Sequence, residues 1–315
     1  MASRTILVAG ASGFIGRHLV PQLVARGHAV RALTRRPERY QGPPGVTVAR
    51  GDVLDADSLR SALAGCDAAV YLVHSMEGGD FAERDRLAAR NFREAAAAAG
   101  LERLVYLGGL GNRSDESLSP HLRSRHEVGD LLAGGGVPTT VLRAAIILGA
   151  GGASFEMLRE LVMRLPVMVT PRWVESRCQP IALRDVLRYL VAALEDPVPQ
   201  PATFDIGGPD VLTYRGMMTE FADLLGKRLL VVGVPVLTPR LSTYWVDLVT
   251  SQPKAVAHAL IEGLRNDVVC ENDAARRQWP FPLLPYREAV VEALRQEPAA
   301  IQRKVAGALG APRAG

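Results

Sequence analysis

The run Thr5-Ile6-Leu7-Val8-Ala9-Gly10-Ala11-Ser12-Gly13-Phe14-Ile15-Gly16-Arg17-His18-Leu19-Val20 constrains this chain more than any other stretch. Three glycines at G-x-x-G-x-x-G spacing follow an apolar strand directly and open a helix. Gly10 permits the tight turn out of the strand, and Gly13 lets a pyrophosphate approach the backbone. Gly16 lets the helix pack close to the sheet while its N-terminal N–H groups face the phosphates. Strand, turn and helix in that order make the glycines evidence for a β-α-β nucleotide-binding unit. Ser12, Phe14 and Ile15, inside the loop, are candidate contacts to the same ligand.

The rest of the first half keeps that rhythm. Apolar runs at 5–9, 29–33, 46–49, 68–73, 104–107 and 139–143 alternate with helical patterns at 13–26, 57–63, 81–99 and 119–133. The near-continuous apolar character of the strands predicts helices on both faces of a parallel sheet, the doubly wound α/β Rossmann architecture. Gly27, Gly100 and Gly134 stand where helix C-caps belong. Beyond residue 149 the pattern loosens. Helices are expected at 155–165, 181–194, 214–225, 239–249 and 254–264, strands at 204–206 and 229–234, and a Pro- and Arg-containing connection over 167–180. A length of 315 residues accommodates two units. The expectation is a Rossmann domain over 1–148, completed by about 180–207, with a smaller C-terminal substrate lobe from 149–179 and 208–285. A helix and tail would occupy 286–315.

Net charge is +4, but the cations are spread, lysine stands only at 227, 254 and 304, and no run of five like charges occurs. Nucleic acid is therefore not an expected partner. Cys66, Cys178 and Cys270 lie far apart without a C-x-x-C pair, which reads as three reduced thiols and no metal site. The chain enters its first strand without a signal-peptide pattern. Its longest uncharged stretches, 144–155 and 229–239, are shorter than the roughly 20 residues of a membrane span. A cytoplasmic address and no transmembrane segment are expected.

The end of the second strand reads the ribose of the nucleotide. An NAD site usually offers an acid there, whereas an NADP site offers cations. Here the residues are Leu33-Thr34-Arg35-Arg36. Thr34 occupies the acid's place, and Arg35, beside Arg36, is expected to pair with a 2′-phosphate, so NADP(H) is preferred over NAD(H). The alternative is a solvated arginine pair on a loop.

Gly51-Asp52-Val53-Leu54-Asp55 follows the third strand and Leu72-Val73-His74-Ser75 the fourth. With these segments the sequence resembles the short-chain dehydrogenase/reductase superfamily in its extended and atypical branches. The resemblance runs from about residue 4 to 225 and takes in Asn91, 141–149, 179–186 and 204–209. It implies that Asp52 and Val53 bind adenine. It also implies that Leu72, Val73, His74, Gly108, Ala144 and Ile146 lie along the cofactor.

The pattern then breaks. The superfamily uses a Ser after the fifth strand and a Tyr-x-x-x-Lys pair on the next helix. This chain has Tyr106-Leu107-Gly108-Gly109-Leu110-Gly111 and His121-Leu122-Arg123-Ser124-Arg125 in those places. The departure narrows the resemblance to atypical members such as NmrA-like NAD(P)H-binding proteins, implying a cofactor and a fold but no substrate. His121 and Arg125 keep the i,i+4 spacing of one helical face. His121, with an ordinary pKa near 6.5, is the expected proton donor and Arg125 the expected ribose anchor, with His74 as the alternative donor. Phe155, Trp173, Arg177 and Gln179, with Met157, are expected to roof a substrate pocket, while Met217 and Met218 read as core. The expected function is an NADPH-dependent reductase of a small organic carbonyl, enone or quinone. The alternatives are a non-catalytic NADP(H)-occupancy sensor or partner-binding protein, and a lyase or epimerase holding its nucleotide tightly.

Overall fold

The computed structural model describes residues 3–75, 80–170, 172–233 and 262–305. Strands β1 (Thr5–Ala9), β2 (Ala29–Thr34), β3 (Thr47–Arg50), β4 (Ala68–Tyr71), β5 (Arg103–Gly109) and β6 (Thr139–Ala144) alternate with helices α1 (Gly16–Ala25), α2 (Ala56–Leu63), α3 (Phe81–Ala98) and α4 (Pro120–Ala133). Next come β7 (Ile147–Leu148), α5 (Ala153–Arg164), β8 (Val167–Thr170), β9 (Arg177–Cys178), β10 (Ile181–Ala182) and α6 (Leu183–Glu195). The chain continues through β11 (Thr203–Ile206), β12 (Leu212–Thr213), α7 (Tyr214–Leu224), β13 (Leu230–Gly233), α8 (Ala274–Gln278), α9 (Tyr286–Arg295) and α10 (Ala299–Lys304).

The main sheet is parallel with the order β11-β6-β5-β4-β1-β2-β3. Strand order reverses at β1, which pairs with β4 on one side and β2 on the other. Ligands of such sheets bind beyond the carboxyl ends of the strands at that switch point. Local chemistry places the helices. Asp55 caps α2 by accepting the Asp57 and Ser58 N–H groups, Ser119 caps α4 with Pro120 at its first position, and Thr213 caps α7. One apolar core lies between the sheet and α1 and α6, and a second between the sheet and α2, α3 and α4. A third is built on α5, α7 and α9. A buried Arg143–Asp205 pair, Nε to Oδ1 at 2.6 Å, joins β6 to β11 in register.

Gly27 and Gly100 follow their helices with left-handed φ of +85° and +69°, and Gly134 is the C-cap of α4 at φ −75°, as expected. Two expectations are corrected. β3 is an edge strand, and Thr47, Val48 and Arg50 are exposed rather than covered on both faces. The 167–180 stretch is not a plain connection, because β8 pairs with β13 and β9 with β12. Helix 239–249, most of 254–264 and the tail from 306 lie outside the described residues. Among the described residues no helix is long and apolar enough to cross a membrane.

Candidate functional site

Strand β1 delivers the chain into its glycine loop at the switch point. Gly10 has φ +85°, and a Cβ there would meet the Leu72 backbone and side chain at 3.2 Å. At Gly16 a Cβ would stand 2.2 Å from the Gly10 carbonyl oxygen, so only glycine lets α1 begin against the turn. The Gly13 N–H donates to the Gly10 carbonyl at 3.0 Å, closing the loop. Helix α1 starts after Ile15 with no side-chain cap and no acid in its first turn. Its first N–H groups and dipole are left to an anion. Phe14 packs its ring where a Cβ on Gly149 or Gly152 would be, at 3.0 and 2.8 Å.

A cavity of about 710 Å³ runs along the ends of β1 to β4. Gly10 and Ser12 line it from the loop, Thr34, Arg35 and Arg36 from β2, Asp52 and Val53 from β3, and Val73 and His74 from β4. Asn91 on α3 donates to the Val53 carbonyl at 3.2 Å and steadies that wall. Sequence reading did not single out Arg39, Tyr40, Arg84 and Asp85, which also line the cavity. Among the described residues the guanidiniums of Arg35, Arg36, Arg39 and Arg84 have no acidic partner, while Asp52 is engaged in its own turn, accepting the Leu54 N–H. The glycine cradle, the uncapped helix and these free cations fit a nicotinamide dinucleotide, whose phosphates they would meet.

His74, Arg125, His121 and Phe81 cluster near the end of β4. The Nη2 of Arg125 donates to the Nε2 of His121 at 3.2 Å. The rings of His74 and His121 meet edge-on with centroids 6.4 Å apart, and Phe81 lies 6.0 Å from His121. Desolvation and then the Arg125 charge push His121 down to about 3. Desolvation and then the Arg125 and His121 charges lower His74 too, although it stands exposed at the cavity wall. Both imidazoles are therefore neutral at neutral pH, which corrects the expectation that His121 titrates near 6.5. Because His121 Nε2 accepts from Arg125, its proton sits on Nδ1. The Nε of Arg125 is enclosed without a hydrogen-bond partner. Tyr106 donates to the Arg125 carbonyl at 3.1 Å, and burial pushes its phenol up to about 12.

The missing serine has a steric explanation. A Cβ on Gly108 would stand 2.9 Å from the Tyr106 ring, and one on Gly109 2.9 Å from Leu122. Tyr106 and Leu122 already fill the place of a larger residue. His126 turns elsewhere, with Nε2 3.2 Å from the Gly109 carbonyl. Gly108, Ala144 and Ile146 do not line the cavity. The Ala144 carbonyl accepts from Leu110 and the Ile146 carbonyl from Ile181.

Among the described residues expected in the substrate roof, Phe155, Gln179 and Arg177 are engaged elsewhere. Phe155 is fully buried and stacked on Phe221 with centroids 5.8 Å apart, and Met157 is in the same core. Gln179 is a buried brace, donating to the Gly208 carbonyl at 2.8 Å and accepting the Cys270 N–H at 3.0 Å. Arg177 is exposed and paired with Asp267 at 3.0 Å. The side chain of Trp173 lies outside the described part. Met217 and Met218 are core, as expected.

Comparison with known proteins agrees with this geometry. A family model for NAD(P)H-binding proteins matches residues 10–157. An uncharacterized protein of Mycobacterium tuberculosis is 28% identical over 249 residues, covering 79% of this chain and 26% of its own, so the chain spans about a quarter of that relative. The (4-alkanoyl-5-oxo-2,5-dihydrofuran-3-yl)methyl phosphate reductase of Streptomyces griseus is 32% identical over 234 residues, 71% of this chain and 75% of that protein. The triphenylmethane reductase of Citrobacter sp., solved with NADP(H), shares the fold with a TM-score of 0.72 at 20% identity, over 92% of this chain and 100% of that one. The glycine loop, the matching family model and the 32% identical reductase show that the chain belongs to the NAD(P)H-binding family, and its sheet fits the extended and atypical short-chain dehydrogenase/reductase fold.

Proposed function

We propose that this chain is an NADPH-dependent reductase of conjugated acceptors, enones or quinones, and that Arg125 stabilises the negative charge that reduction leaves on the acceptor oxygen. The observation that carries the reading is the make-up of the crevice. Arg35, Arg36 and Arg39 line the cavity without acidic partners among the described residues, and beside His74, which lines it too, the half-buried Arg125 donates to a neutral His121 just outside that lining.

The glycine loop and the start of α1 hold the pyrophosphate, Asp52 and Val53 the adenine, and Arg35, with Arg36 and Arg39, the 2′-phosphate. Bound there, the reduced nicotinamide supplies a hydride. A neutral imidazole is a poor acid, and the Tyr106 hydroxyl is committed to the Arg125 carbonyl. An isolated ketone, whose alkoxide demands a proton as it forms, is badly served by such a site. A conjugated acceptor delocalises the charge, Arg125 holds it, and water delivers the proton afterwards. The substrate named for the Streptomyces reductase is a conjugated carbonyl, which supports this choice.

The test is oxidation of NADPH and NADH by the purified protein against quinones, enones and isolated ketones. The expected outcome is NADPH oxidation with the first two classes only. Tight NADPH binding without turnover on any acceptor would favour a nucleotide-occupancy sensor instead.

A further inference from the structure

We propose that Asp85 is the positioning residue of the crevice: its buried carboxylate ties the exit of β4, which carries His74, to α4, which carries His121 and Arg125, and supplies the counter-charge for Arg125. Only its effect on turnover rests on the reductase reading.

A carboxylate at 4% exposure is costly unless its lone pairs and its charge are both answered. The lone pairs of Asp85 are answered from two elements, the exit of β4 and α4. Its Oδ1 accepts the Ser75 N–H at 2.7 Å, from the residue after His74. Its Oδ2 accepts the Ser124 hydroxyl at 3.3 Å, and Ser124 is itself buried and directly precedes Arg125. Asp85 itself stands in the second turn of α3. No salt bridge joins Asp85 to a cation among the described residues, so any pull of its charge on Arg125 acts without contact. Desolvation lowers the Arg125 pKa, and Tyr106 and Asp85 both oppose that shift. Asp85 also lines the nucleotide cavity, so one side chain borders the cofactor while fixing both walls that carry the candidate catalytic groups.

The test is a double-mutant cycle. Asp85→Asn keeps an acceptor for Ser75 and offers an amide donor to Ser124, so it removes chiefly the charge. With a quinone acceptor its kcat should fall about tenfold, while the NADPH Kd stays within about twofold or tightens, since a negative charge has left an anion site. In an Arg125→Gln background the same substitution should cost nothing further, because the charge it balanced is gone. Melting temperatures of the nucleotide-free variants should show the same coupling. A parental kcat for Asp85→Asn, or an equal loss in both backgrounds, overturns the assignment. If the parental protein turns over no acceptor, the reductase reading falls and melting still decides: coupling between 85 and 125 upholds the tie, and additivity overturns it.

Discussion

Arg125 and His121 stand one turn apart on α4, and the guanidinium donates through Nη2 to the imidazole Nε2 at 3.2 Å. That bond occupies the ring nitrogen which would otherwise take up a proton. The pair keeps the spacing of the superfamily's tyrosine and lysine, yet it presents a charge and an oriented neutral ring rather than an acid.

The pH dependence follows from that relationship. With His121 pushed down to about 3 and His74 also lowered, turnover should show no histidine ionisation between pH 6 and 8. A bell with a limb near 6.5 would restore His121 to the role of general acid. Stability carries the same signature. A histidine kept neutral in the folded state and free to protonate when unfolded contributes no penalty above about pH 6.5 and an increasing one as pH falls towards 3. His121→Gln should therefore move the acid-unfolding midpoint to lower pH, measured by circular dichroism.

Nucleotide choice is expected to rest on Arg35. Arg35→Ala should weaken NADP(H) by about 2 kcal/mol and leave NAD(H) nearly unchanged, the range for one charge-assisted contact. Calorimetric titration with both nucleotides decides it, and equal weakening of both would remove the 2′-phosphate assignment.

The closure of the glycine loop is tested at Gly16. Gly16→Ala would drive a methyl to 2.2 Å from the Gly10 carbonyl, so α1 must move away from the turn. Nucleotide binding should be lost and the melting temperature lowered, whereas Gly13→Val, with 3.2 Å to the same oxygen, should lose binding with a smaller thermal cost. The contrast is read by pairing thermal melts with titrations.

Phe155 separates core from pocket. Its ring is fully buried against Phe221, so Phe155→Ala should cost about 3–5 kcal/mol in urea unfolding. The KM for any acceptor found should stay at the parental value, and a selective rise in KM without loss of stability would return Phe155 to the substrate site.

The architecture was legible in the amino-acid sequence because its determinants are local. Thr5–Ala9 forms β1 at the residues read from the apolar run, and α3 and α4 end within a residue or so of their expected positions. The glycine spacing announces the loop, and Arg35 follows the end of β2 wherever that strand lies in the sheet. What surrounds a side chain is not local. Asp85 sits in a Glu-Arg-Asp-Arg stretch that reads as a solvated helix face, and only packing against Ser75 and Ser124 makes it a buried carboxylate. Arg39 and Arg84 join the cavity from segments 45 residues apart, which no motif spacing links. Gln179 and Phe155 look like pocket residues by type, but Gly208, Cys270 and Phe221 claim them. The proton on His121 was decided by tertiary structure as well, since burial and a guanidinium at 3.2 Å override the ordinary pKa of the residue.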